Sequence, residues 1–515
     1  MRNGIGRRMR FIGVVALAGV ALPVAGYSYG VEVPENGTVA HGRGGAFVAR
    51  ASDTSAAGLN MAGVLGLRGF QLGLSANVGA SSNCFQRSGV YDGSADVPIS
   101  VAGTRFAEGA NGLPTYSGQP YPEVCSGRAL ALAANLMATY RVNRWLAFAA
   151  GVTTPSTPGS GQVFDDMVRL PNGAYAPSPA RNMLFQKNLL VIYPTLGVAV
   201  APHPRVRLGL TVQPSFGRFQ FGVMANASAN SPQSPETDLL ISLNATGFFL
   251  AGALSTQVLI NRYLSFGAQV HYNMPIAASG IADTTSTYYA SPASNQAPGT
   301  FTIDEMTVAL PWNLRAGFRF ALPRAGRPTQ DDGSGNYDPM TDDVFDVEAD
   351  FTYENTSSLG VTSLRNSGNI TIGSRGTTST LPAPRSIVLN SNLSNVFGVR
   401  VGGDYNVIPG RLALRLGFTY ETQGLAGDKA VVHLPAYAGA SIHAGVSYRI
   451  GSLTINLGFG HFLFQALDAT SATNPVITPT PFTDCVATGP GACTTNRGTY
   501  HNYLTNGSIG FNYRF

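Results

Sequence analysis

Polar residues that could carry out hydrolysis are present, but no motif arranges them for catalysis. The sequence contains neither the zinc-protease motif His-Glu-x-x-His nor a phosphate-binding P-loop. A lipase-like site could still be drawn from residues scattered over the second half of the chain: His271, His443, His461, Ser441 and Asp404. We interpret the histidines as hydrogen-bonded structural side chains, and keep an embedded lipid hydrolase as the enzymatic alternative. We therefore predict no catalytic residue, no cofactor and no metal site.

The four cysteines are expected to form disulfides rather than to bind a metal. Cys84, Cys125, Cys485 and Cys493 lie in stretches that we assign to loops, and their spacing matches no zinc or haem motif. An exported protein meets an oxidising compartment, where disulfides persist. We expect a bridge from Cys84 to Cys125 and a short local bridge from Cys485 to Cys493, with free or cross-paired thiols as the alternative.

Charged residues of the later chain alternate with apolar ones, which is the two-residue period of a strand with one polar face. Residues 308–322 follow this pattern, with the apolar set from Leu310 and Trp312 to Phe320 expected to face outward. Six charges on the polar faces of this and later strands form a candidate lumenal patch: Arg315, Arg319, Glu348, Asp350, Arg400 and Arg415. The patch could contact a solute or an anionic head group, or form an ion-pair lattice that holds a barrel wall and an internal plug together. We favour the lattice.

The same alternation recurs along most of the chain. We count about fourteen strands, near residues 70–78, 130–142, 145–152, 190–200, 206–222, 239–258, 263–272, 308–322, 344–354, 388–407, 411–421, 440–450, 453–464 and 503–515. Tight turns such as Asn143-Arg144 and Gly451-Ser452 alternate with long loops such as 80–128 and 273–305. Short turns at one rim and long loops at the other are typical of a bacterial outer-membrane barrel. One connection breaks the rule: 323–343 should be short, so either this turn is elaborated or the count slips there.

The final strand, Tyr503–Phe515, is expected to close the barrel. Its apolar residues alternate with polar ones, and an unpaired strand edge is not tolerated in lipid. The terminal Phe515 also resembles the signal by which barrel-assembly machinery recognises its substrates. We predict an all-β fold, an antiparallel transmembrane barrel of about fourteen strands.

Composition agrees with an exported barrel and argues against nucleic-acid binding. Only 12% of the 515 residues are charged, and the net charge of +5 owes much to arginines among the first ten residues. The mean hydropathy of +0.07 is too low for a helical membrane protein. Residues 1–26 have the positive start, short apolar run and small-residue cleavage site of a signal peptide. We assign 69–515 to the barrel, whereas residues 27–68 are rich in small side chains and lack a strand period, so they could pack as a compact segment inside another structure or form a flexible terminus.

These features together resemble the FadL/OmpP1/TodX family of outer-membrane long-chain fatty-acid and hydrocarbon transporters. Residues 42–47 are similar to that family's Gly-Arg-Ala-Tyr/Phe segment, and 59–63 to its Asn-Pro-Ala segment, while 310–318 and 411–420 match family strands. The resemblance implies that residues 27–68 form an N-terminal hatch that plugs the lumen of the barrel. It also implies that these residues of the hatch act in plugging and gating: Gly42, Arg43, Gly44, Phe47, Asn60, Met61 and Ala62. Met61 stands where the family has proline, which would fix φ at that turn, so the hatch here is expected to differ in shape or mobility.

The resemblance further implies passive uptake of hydrophobic compounds, with long-chain fatty acids expected, through an outer pocket, past the hatch and sideways through the wall. Loop stretches 163–164, 183–185 and 462–464 offer apolar side chains for such a pocket, although loop packing explains them equally well. The expected partners are a hydrophobic small molecule, outer-membrane lipid and the assembly machinery, with the protein a monomer. The alternatives are an adhesin-like barrel with partner-binding loops, the embedded hydrolase and a general porin.

Overall fold

The computed structural model describes most of the chain after residue 36. The described residues are 37–91, 106, 115–127, 129–154, 162–226, 235, 238–290, 293–330, 336–359, 361–374, 377–390, 393–425, 427, 430–432, 437–470 and 495–515. The predicted signal peptide and the first ten residues of the predicted hatch lie outside them. Within them, no helix combines the length and the apolar character needed to cross a membrane.

Strands dominate the described part of the chain. In chain order they are β1 Phe70–Arg87, β2 Glu123–Cys125, β3 Ala129–Arg141, β4 Leu146–Thr153, β5 Gln162–Val163, β6 Met167–Arg169, β7 Tyr175–Pro177, β8 Leu184–His203, β9 Val206–Asn226, β10 Asp238–Leu259, β11 Leu264–Asn273, β12 Ile276–Ser286, β13 Ala297–Val308, β14 Asn313–Pro323, β15 Asp343–Glu354, β16 Val361–Ser374, β17 Thr377–Pro382, β18 Ser386–Asn390, β19 Val396–Ile408, β20 Leu412–Glu421, β21 Gly439–Ile450, β22 Leu453–Phe464, β23 Leu467–Asp468 and β24 Gly498–Arg514. The helices are α1 Thr38–Gly42, α2 Ala56–Leu59 and α3 Pro339–Asp342, with 3-10 turns at Met61–Gly66, Ala293–Asn295 and Thr356–Ser358.

Fourteen of these strands pair antiparallel into a closed wall, as the alternation predicts. In order around the barrel they are β1, β3, β4, β8, β9, β10, β11, β14, β15, β19, β20, β21, β22 and β24. The last strand closes the ring, because β24 pairs with β1 from Gln71–Arg514 to Arg87–Gly498. Closure removes every free strand edge from the wall. The predicted fold class is confirmed.

The two faces of the wall differ in polarity along each strand. On β20, Leu414, Leu416 and Phe418 are exposed on the outside, whereas Arg415 and Thr419 are buried inside. The same rule applies on β15, where Val347 and Phe351 are exposed and the intervening carboxylates are buried. An exposed apolar belt around a closed barrel is stable against lipid and unfavourable against water. The outer face is therefore a membrane-facing surface.

The connections at one end of the barrel are short, and we call this end the short-turn rim. The long connection 323–343 lies at this rim, and β14 and β15 remain neighbours, so the turn is elaborated and the strand count holds. The turn contains α3, whose N-cap Asp338 accepts a hydrogen bond from the backbone N–H of Met340. Asp338 also pairs with Arg449 of β21 at 2.6 Å, which fastens the turn to the rim.

The opposite end of the barrel holds structure that the sequence analysis assigned to loops. Strand β12 and most of β13 lie in the predicted loop 273–305, and β16 and β17 lie in the predicted loop 355–387. Strand β18 spans the end of that loop and the start of the predicted strand 388–407. These strands form an additional sheet on the half of β10 that lies away from the short-turn rim. In it β12 pairs with residues 240–248 of β10, β13 with β12, β16 with β13 and β18 with β16. The predicted outward position of Leu310 is wrong: it is buried in the core of this sheet, because β14 begins only at Asn313. Trp312 likewise precedes the strand and is half-buried.

The upper end of β1 is tied to the loop that follows it. Cys84 and Cys125 are opposite each other in the pairing of β1 with β2 and form a disulfide. Cys485 and Cys493 lie outside the described residues, so the second expected bridge stays a prediction.

Residues 37–68, which we call the N-terminal segment, lie within the ring of strands. Helix α1 contacts β21, β22 and β24, while the 3-10 turn Met61–Gly66 contacts β8, β9 and β10 on the other side of the barrel. Most side chains of the segment are buried. A stretch without strand character and with small residues thus fills the space that the polar faces of the wall enclose.

A charge on the outer face is expected to destabilise the barrel according to its depth in the membrane. Leu416 lies near the middle of β20 and is 73% exposed, so Leu416→Arg should lower the free energy of unfolding by about 2–4 kcal/mol. Tyr448 is also exposed but pairs with Leu412 close to the short-turn rim, so the control Tyr448→Arg should cost only about 0–1 kcal/mol. Denaturant unfolding in lipid vesicles measures both values. Equal costs at the two positions would contradict a membrane-facing belt.

Candidate functional site

The first half of the N-terminal segment turns sharply where it meets the wall. Helix α1 ends at Gly42, and the next glycines, Gly44 and Gly45, have φ values of 64° and 80°. Side chains rarely adopt this left-handed conformation, so glycine suits both positions. The turn brings the backbone of Arg43 against the wall glycines Gly402 and Gly417, where an added Cβ would lie 2.2 and 2.1 Å from Arg43 backbone atoms. The close approach aims the Arg43 side chain at the polar face of β15 and β19.

Arg43 is fully buried and ion-paired to three carboxylates. Its Nη1 lies 2.7 Å from Asp346 Oδ1 and 2.6 Å from Asp404 Oδ1. Its Nη2 lies 3.2 Å from Glu348 Oε2, and its Nε donates to the carbonyl of Ala46 at 2.8 Å. Burial alone would lower the pKa of Arg43, but the three carboxylates outweigh it and raise that pKa above the ordinary arginine value. The guanidinium is therefore charged at neutral pH.

Other arginines complete a buried array around the same carboxylates. Arg50 of the N-terminal segment pairs with Asp346 and lies 3.0 Å from Asp404 Oδ2. From the wall, Arg319 contacts Asp346 at 2.9 Å, and Arg415 contacts Asp404 at 2.9 Å. We call this array the anchoring lattice, with four arginines and four carboxylates: Arg43, Arg50, Arg319, Arg415, Asp343, Asp346, Glu348 and Asp404. Its formal charges balance, as a buried ionic cluster requires.

Two wall carboxylates also hold the backbone of the segment. Asp350 Oδ2 accepts from the N–H groups of Phe47 and Val48 at 2.9 and 3.1 Å. Glu348 Oε1 accepts from the N–H of Ala49 at 2.6 Å, and both Glu348 oxygens accept from the N–H of Arg50. Four consecutive backbone donors, which would otherwise be buried without partners, are thus satisfied by β15.

A histidine provides a second anchor on the opposite side of the turn. His41 is hydrogen-bonded to Asn506 Oδ1 at 2.8 Å and to Ser508 Oγ at 2.6 Å, both on β24. Its ring also meets the edge of His443, with centroids 5.3 Å apart. Burial lowers the pKa of His41 to about 4, although the bond to Asn506 opposes the shift. The ring is therefore neutral near pH 7.

The possible hydrolase residues do not assemble into a catalytic triad. Ser441 Oγ lies 2.7 Å from His443 Nε2, so these two residues form a buried pair. Asp404 cannot orient this pair, because its oxygens are held by the arginines of the anchoring lattice. His271 bonds to Gln213 at 2.8 Å, and the exposed His461 bonds to Thr505 at 3.0 Å, so both lie elsewhere on the wall.

The second half of the segment is held by packing and by uncharged hydrogen bonds. Among these are the bonds of the Asn60 amide, the bond from the Gln269 amide to the carbonyl of Gly58 and the bond from the N–H of Ala62 to the Ser255 hydroxyl. Asn60 Nδ2 donates to the carbonyls of Val48 and Thr256 at 2.6 and 2.9 Å, and its Oδ1 accepts from the N–H of Ala62 at 3.1 Å. Met61 fills a niche on β8, because a Cβ on Gly197 would lie 2.6 Å from the Met61 sulfur. The turn that begins at Met61 is thus fixed by the Asn60 cap and by a complementary glycine, without a proline.

The structure brings most of the sequence-predicted site residues together. The seven predicted hatch residues pack inside the wall, and four of the six predicted patch residues join the lattice or bond the segment's backbone: Arg319, Glu348, Asp350 and Arg415. Arg400 pairs with Glu421 at 2.7 Å and contacts the backbone of the segment at Gly45. Arg315 lies outside the lattice, near Glu354 at the end of β15 that is farther from the short-turn rim. Sequence reasoning omitted Arg50 and His41 from the predicted site. Both are polar residues in a stretch of small side chains, and a buried charge or imidazole there requires a partner on the wall.

A hydrophobic cluster of buried side chains lies beneath the loops at the end of the barrel opposite the short-turn rim. It includes Phe85, Tyr289, Tyr437 and Tyr500, together with Phe164 and Met183 from the predicted apolar loop stretches. We call it the outer cluster. Phe464 packs against it, Val163 is exposed, and the side chains of 184 and 185 lie outside the description.

A cavity of about 700 Å³ lies on the other side of the N-terminal segment. It is lined by the underside of the segment, by lattice members such as Arg50 and by short turns such as Gly451-Ser452. The segment therefore separates the outer cluster from this cavity.

Replacing Arg43 is expected to release the N-terminal segment from the wall. Arg43→Met leaves three buried carboxylates short of a partner, a defect that costs about 3–5 kcal/mol when one member of a buried pair is removed. Hydrogen exchange and limited proteolysis of residues 37–68 should both accelerate. The control Arg365→Met removes a pair with Glu305 on the protein surface and should change neither rate. Unchanged protection in Arg43→Met would refute the lattice as the main anchor.

Acidification is expected to loosen the same segment through His41. An undocked histidine titrates near 6.5, whereas the pKa of docked His41 is about 4, so between these values only the undocked state binds the proton. Docking should therefore be at full strength above pH 6.5 and weaken as the pH falls toward 4, by about 3 kcal/mol. Amide exchange of residues 37–50 at pH 7 and pH 5, corrected for intrinsic rates, measures the change. The variant His41→Gln, which cannot gain the proton, should respond less; an equal response would exclude His41 as the cause.

Solved structures share this architecture, although no family model and no curated protein matches the chain. The chain is similar to a FadL homologue of Pseudomonas aeruginosa, with 14% identity and a TM-score of 0.66 over 94% of this chain and 99% of that one. It is also similar to the Pseudomonas putida toluene transporter TodX, with 13% identity and a TM-score of 0.57 over 95% and 99% of the chains. A third similar structure is the Ralstonia pickettii toluene transporter TbuX, with 15% identity and a TM-score of 0.54 over 94% of this chain and 99% of that one. The resemblance predicted from the sequence is thus confirmed for the architecture, and the chain has the fold of the FadL and TodX transporters.

Proposed function

We propose that the protein resides in the bacterial outer membrane and passively takes up hydrophobic compounds, with the N-terminal segment as its hatch. The observation that carries this proposal is the buried anchoring lattice, which ties an internal segment to both β15 and β19. A barrel filled in this way lacks the broad aqueous bore that a general porin needs. The apolar outer belt and the likeness to a FadL homologue and to toluene transporters support the same function.

Long-chain fatty acids are the cargo that we propose within this class. A long acyl chain gains about 0.8 kcal/mol for each CH₂ that it buries, so its carrier needs an apolar binding surface rather than a water-filled path. The outer cluster offers such material beneath the loops, including Phe164, Met183 and the half-buried Phe464. Rearranged aromatic and methionine side chains could accept a flexible chain there.

The proposed route passes from the outer cluster to the hatch and then sideways through the wall. The backbone ladder between β8 and β9 offers a site for this exit. Its pairs stop at Ile192–Phe216 and resume at Leu196–Val212, and Pro194 faces Pro214 in between. Neither proline can donate a backbone hydrogen bond, so the wall is held more weakly at this point. The niche of Met61 at Gly197 lies directly next to the gap, so movement of the hatch would reach it first.

Two alternatives of other classes make different predictions. An adhesin-like barrel would act through its outer sheet and loops and would not depend on the hatch. A lipid hydrolase would have to use the Ser441–His443 pair, and purified protein would then release fatty acids from phospholipid at a rate abolished by Ser441→Ala.

Deleting residues 31–66 tests the proposal directly. Removal of the hatch should open the lumen, raise single-channel conductance in planar bilayers and abolish specific uptake of a labelled acyl chain by cells. The deletion leaves the fourteen wall strands intact, so the barrel should still migrate as a folded species on unheated gels.

Arg365→Met serves as the control, because its pair with Glu305 is exposed and distant from the hatch. It should leave conductance and uptake unchanged. A deletion variant with unchanged conductance would argue against a hatch. Cells that take up the acyl chain equally well with and without the protein would exclude this cargo.

A further inference from the structure

The interrupted pairing between β8 and β9 is bridged by side chains on the inner face of the wall. Gln213 Nε2 of β9 donates to Thr195 Oγ1 of β8 at 2.9 Å, and the Thr195 hydroxyl donates to the carbonyl of Tyr193 at 3.1 Å. Thr195 and Gln213 lie within the interruption, between the backbone pairs Ile192–Phe216 and Leu196–Val212. A side-chain hydrogen bond therefore joins the two strands where their backbones do not pair.

A third strand holds Gln213 in place. Gln213 Oε1 lies 2.8 Å from His271 Nε2 of β11, and because an amide oxygen only accepts, the His271 ring is the donor. Strand β10 lies between β9 and β11, and its inward residues at this level are two buried alanines: Ala251 is opposite Gln213, and Ala253 is opposite His271. Their short side chains leave the space across which His271 reaches Gln213. We call the chain His271–Gln213–Thr195 the latch.

The latch combines burial with bonds that can be broken. Thr195 and Gln213 are 1% and 4% exposed, and His271 is half-buried. The donors all point in one direction, from ring to amide, from amide to hydroxyl and from hydroxyl to carbonyl. Hydrogen bonds that are linked and shielded from water strengthen one another. Each of them is nevertheless uncharged, so the latch can open without leaving a bare charge in the wall, as the anchoring lattice cannot.

The position of the latch separates the N-terminal segment from the lipid-facing surface. Thr195 lies two residues before Gly197, so both face inward, and Met61 occupies the niche at Gly197. The outer face beside the interruption is apolar, since Leu196 and Val212 are 60% and 42% exposed. An opening at this point would therefore lead from the hatch directly into the membrane.

We propose that the latch closes the exit between β8 and β9, and that its opening admits hydrophobic cargo to the membrane. This inference rests on the proposed uptake function and adds the residues that control its last step. Gln213 is the positioning residue, because its amide contacts both Thr195 and His271. When Met61 leaves Gly197, β8 loses its packing against the hatch, and breaking the bond between Gln213 and Thr195 completes the opening.

Amide hydrogen exchange of the full-length protein in lipid vesicles tests the latch without transport. Thr195→Val removes the hydroxyl, so exchange at the flanking pairs Ile192–Phe216 and Leu196–Val212 should accelerate about three- to tenfold. Thr195→Ser keeps a hydroxyl and should exchange like the wild type. The matched control is Gln220→Leu, which removes the bond from Asn188 to Gln220 between the same two strands, where the backbone pairing is continuous. It should leave exchange at the flanking pairs unchanged.

A reversible disulfide across the interruption tests the exit itself. Combining Thr195→Cys with Gln213→Cys replaces the latch by a covalent bond, so cells with the oxidised protein should lose uptake of radiolabelled oleate and regain it when a reductant is added. Wild-type protein with the same reductant controls for loss of the Cys84–Cys125 disulfide. Thr195→Val should take up oleate at least as fast as the wild type, whereas replacing a residue that only stabilises the fold would slow uptake. Mass spectrometry verifies the new bridge, and unheated gel mobility verifies folding.

Four results would overturn the latch: wild-type exchange in Thr195→Val, equal acceleration in Gln220→Leu, introduced cysteines that do not join, or full uptake by the oxidised double variant. If the wild type itself takes up no oleate, the cargo proposal fails, and the exchange measurement still decides whether the latch exists. If the wild type and the oxidised variant take up oleate equally, the uptake function stands and the exit is not between β8 and β9.

Discussion

The structure depends on one electrostatic constraint, which is that wall and N-terminal segment each carry buried charges that only the other can balance. Asp346 and Asp404 are directly opposite each other on β15 and β19, and like charges in this position destabilise a sheet. Arg43 and Arg50 enter between them and contact both. Without the segment, this part of the wall has more carboxylates than guanidinium groups. Without the wall carboxylates, Arg43 and Arg50 would be buried without an ion-pair partner.

This mutual dependence has a consequence for how the segment can move. A buried ionic cluster is costly to break one contact at a time, because each unpaired charge remains in a medium of low polarity. The half of the segment that contains Arg43 is therefore the fixed half. The half that contains Met61 is held by van der Waals contact with Gly197 and by uncharged hydrogen bonds of Asn60, Ser255 and Gln269, each of which is weaker than a buried ion pair and can break singly. Motion in the proposed hatch would begin at that second half.

Much of the barrel could be predicted from the sequence because lipid and lumen impose opposite polarity on alternate residues of every wall strand. That rule located all fourteen strands and placed Glu348 and Asp350 on the inner face. The rule failed at the end of the barrel opposite the short-turn rim, where β12 and β13 form strands in a predicted loop and Leu310 is buried. There exposure still alternates along a strand such as β12, but polarity does not follow it: Ile281 is exposed, whereas Thr284 and Ser286 are buried, so the sequence shows no apolar period. The lattice partners were also beyond reach, since which carboxylate meets Arg43 depends on register between strands far apart in sequence.

The asymmetry of the segment's two halves also explains why a methionine can occupy the position at which the resemblance implied proline. A proline would fix the backbone of the 3-10 turn through its own ring. Here Asn60 fixes that backbone from the preceding position by accepting the N–H of Ala62, and the Met61 side chain enters the space left by Gly197. The turn is thus held by contacts with β8 that can separate, rather than by a covalent restriction that cannot. In the proposed mechanism this matters because the contact between Met61 and Gly197 lies beside the interrupted pairing at Pro194 and Pro214. When the turn leaves Gly197, β8 loses its packing at the point where its pairing with β9 is weakest.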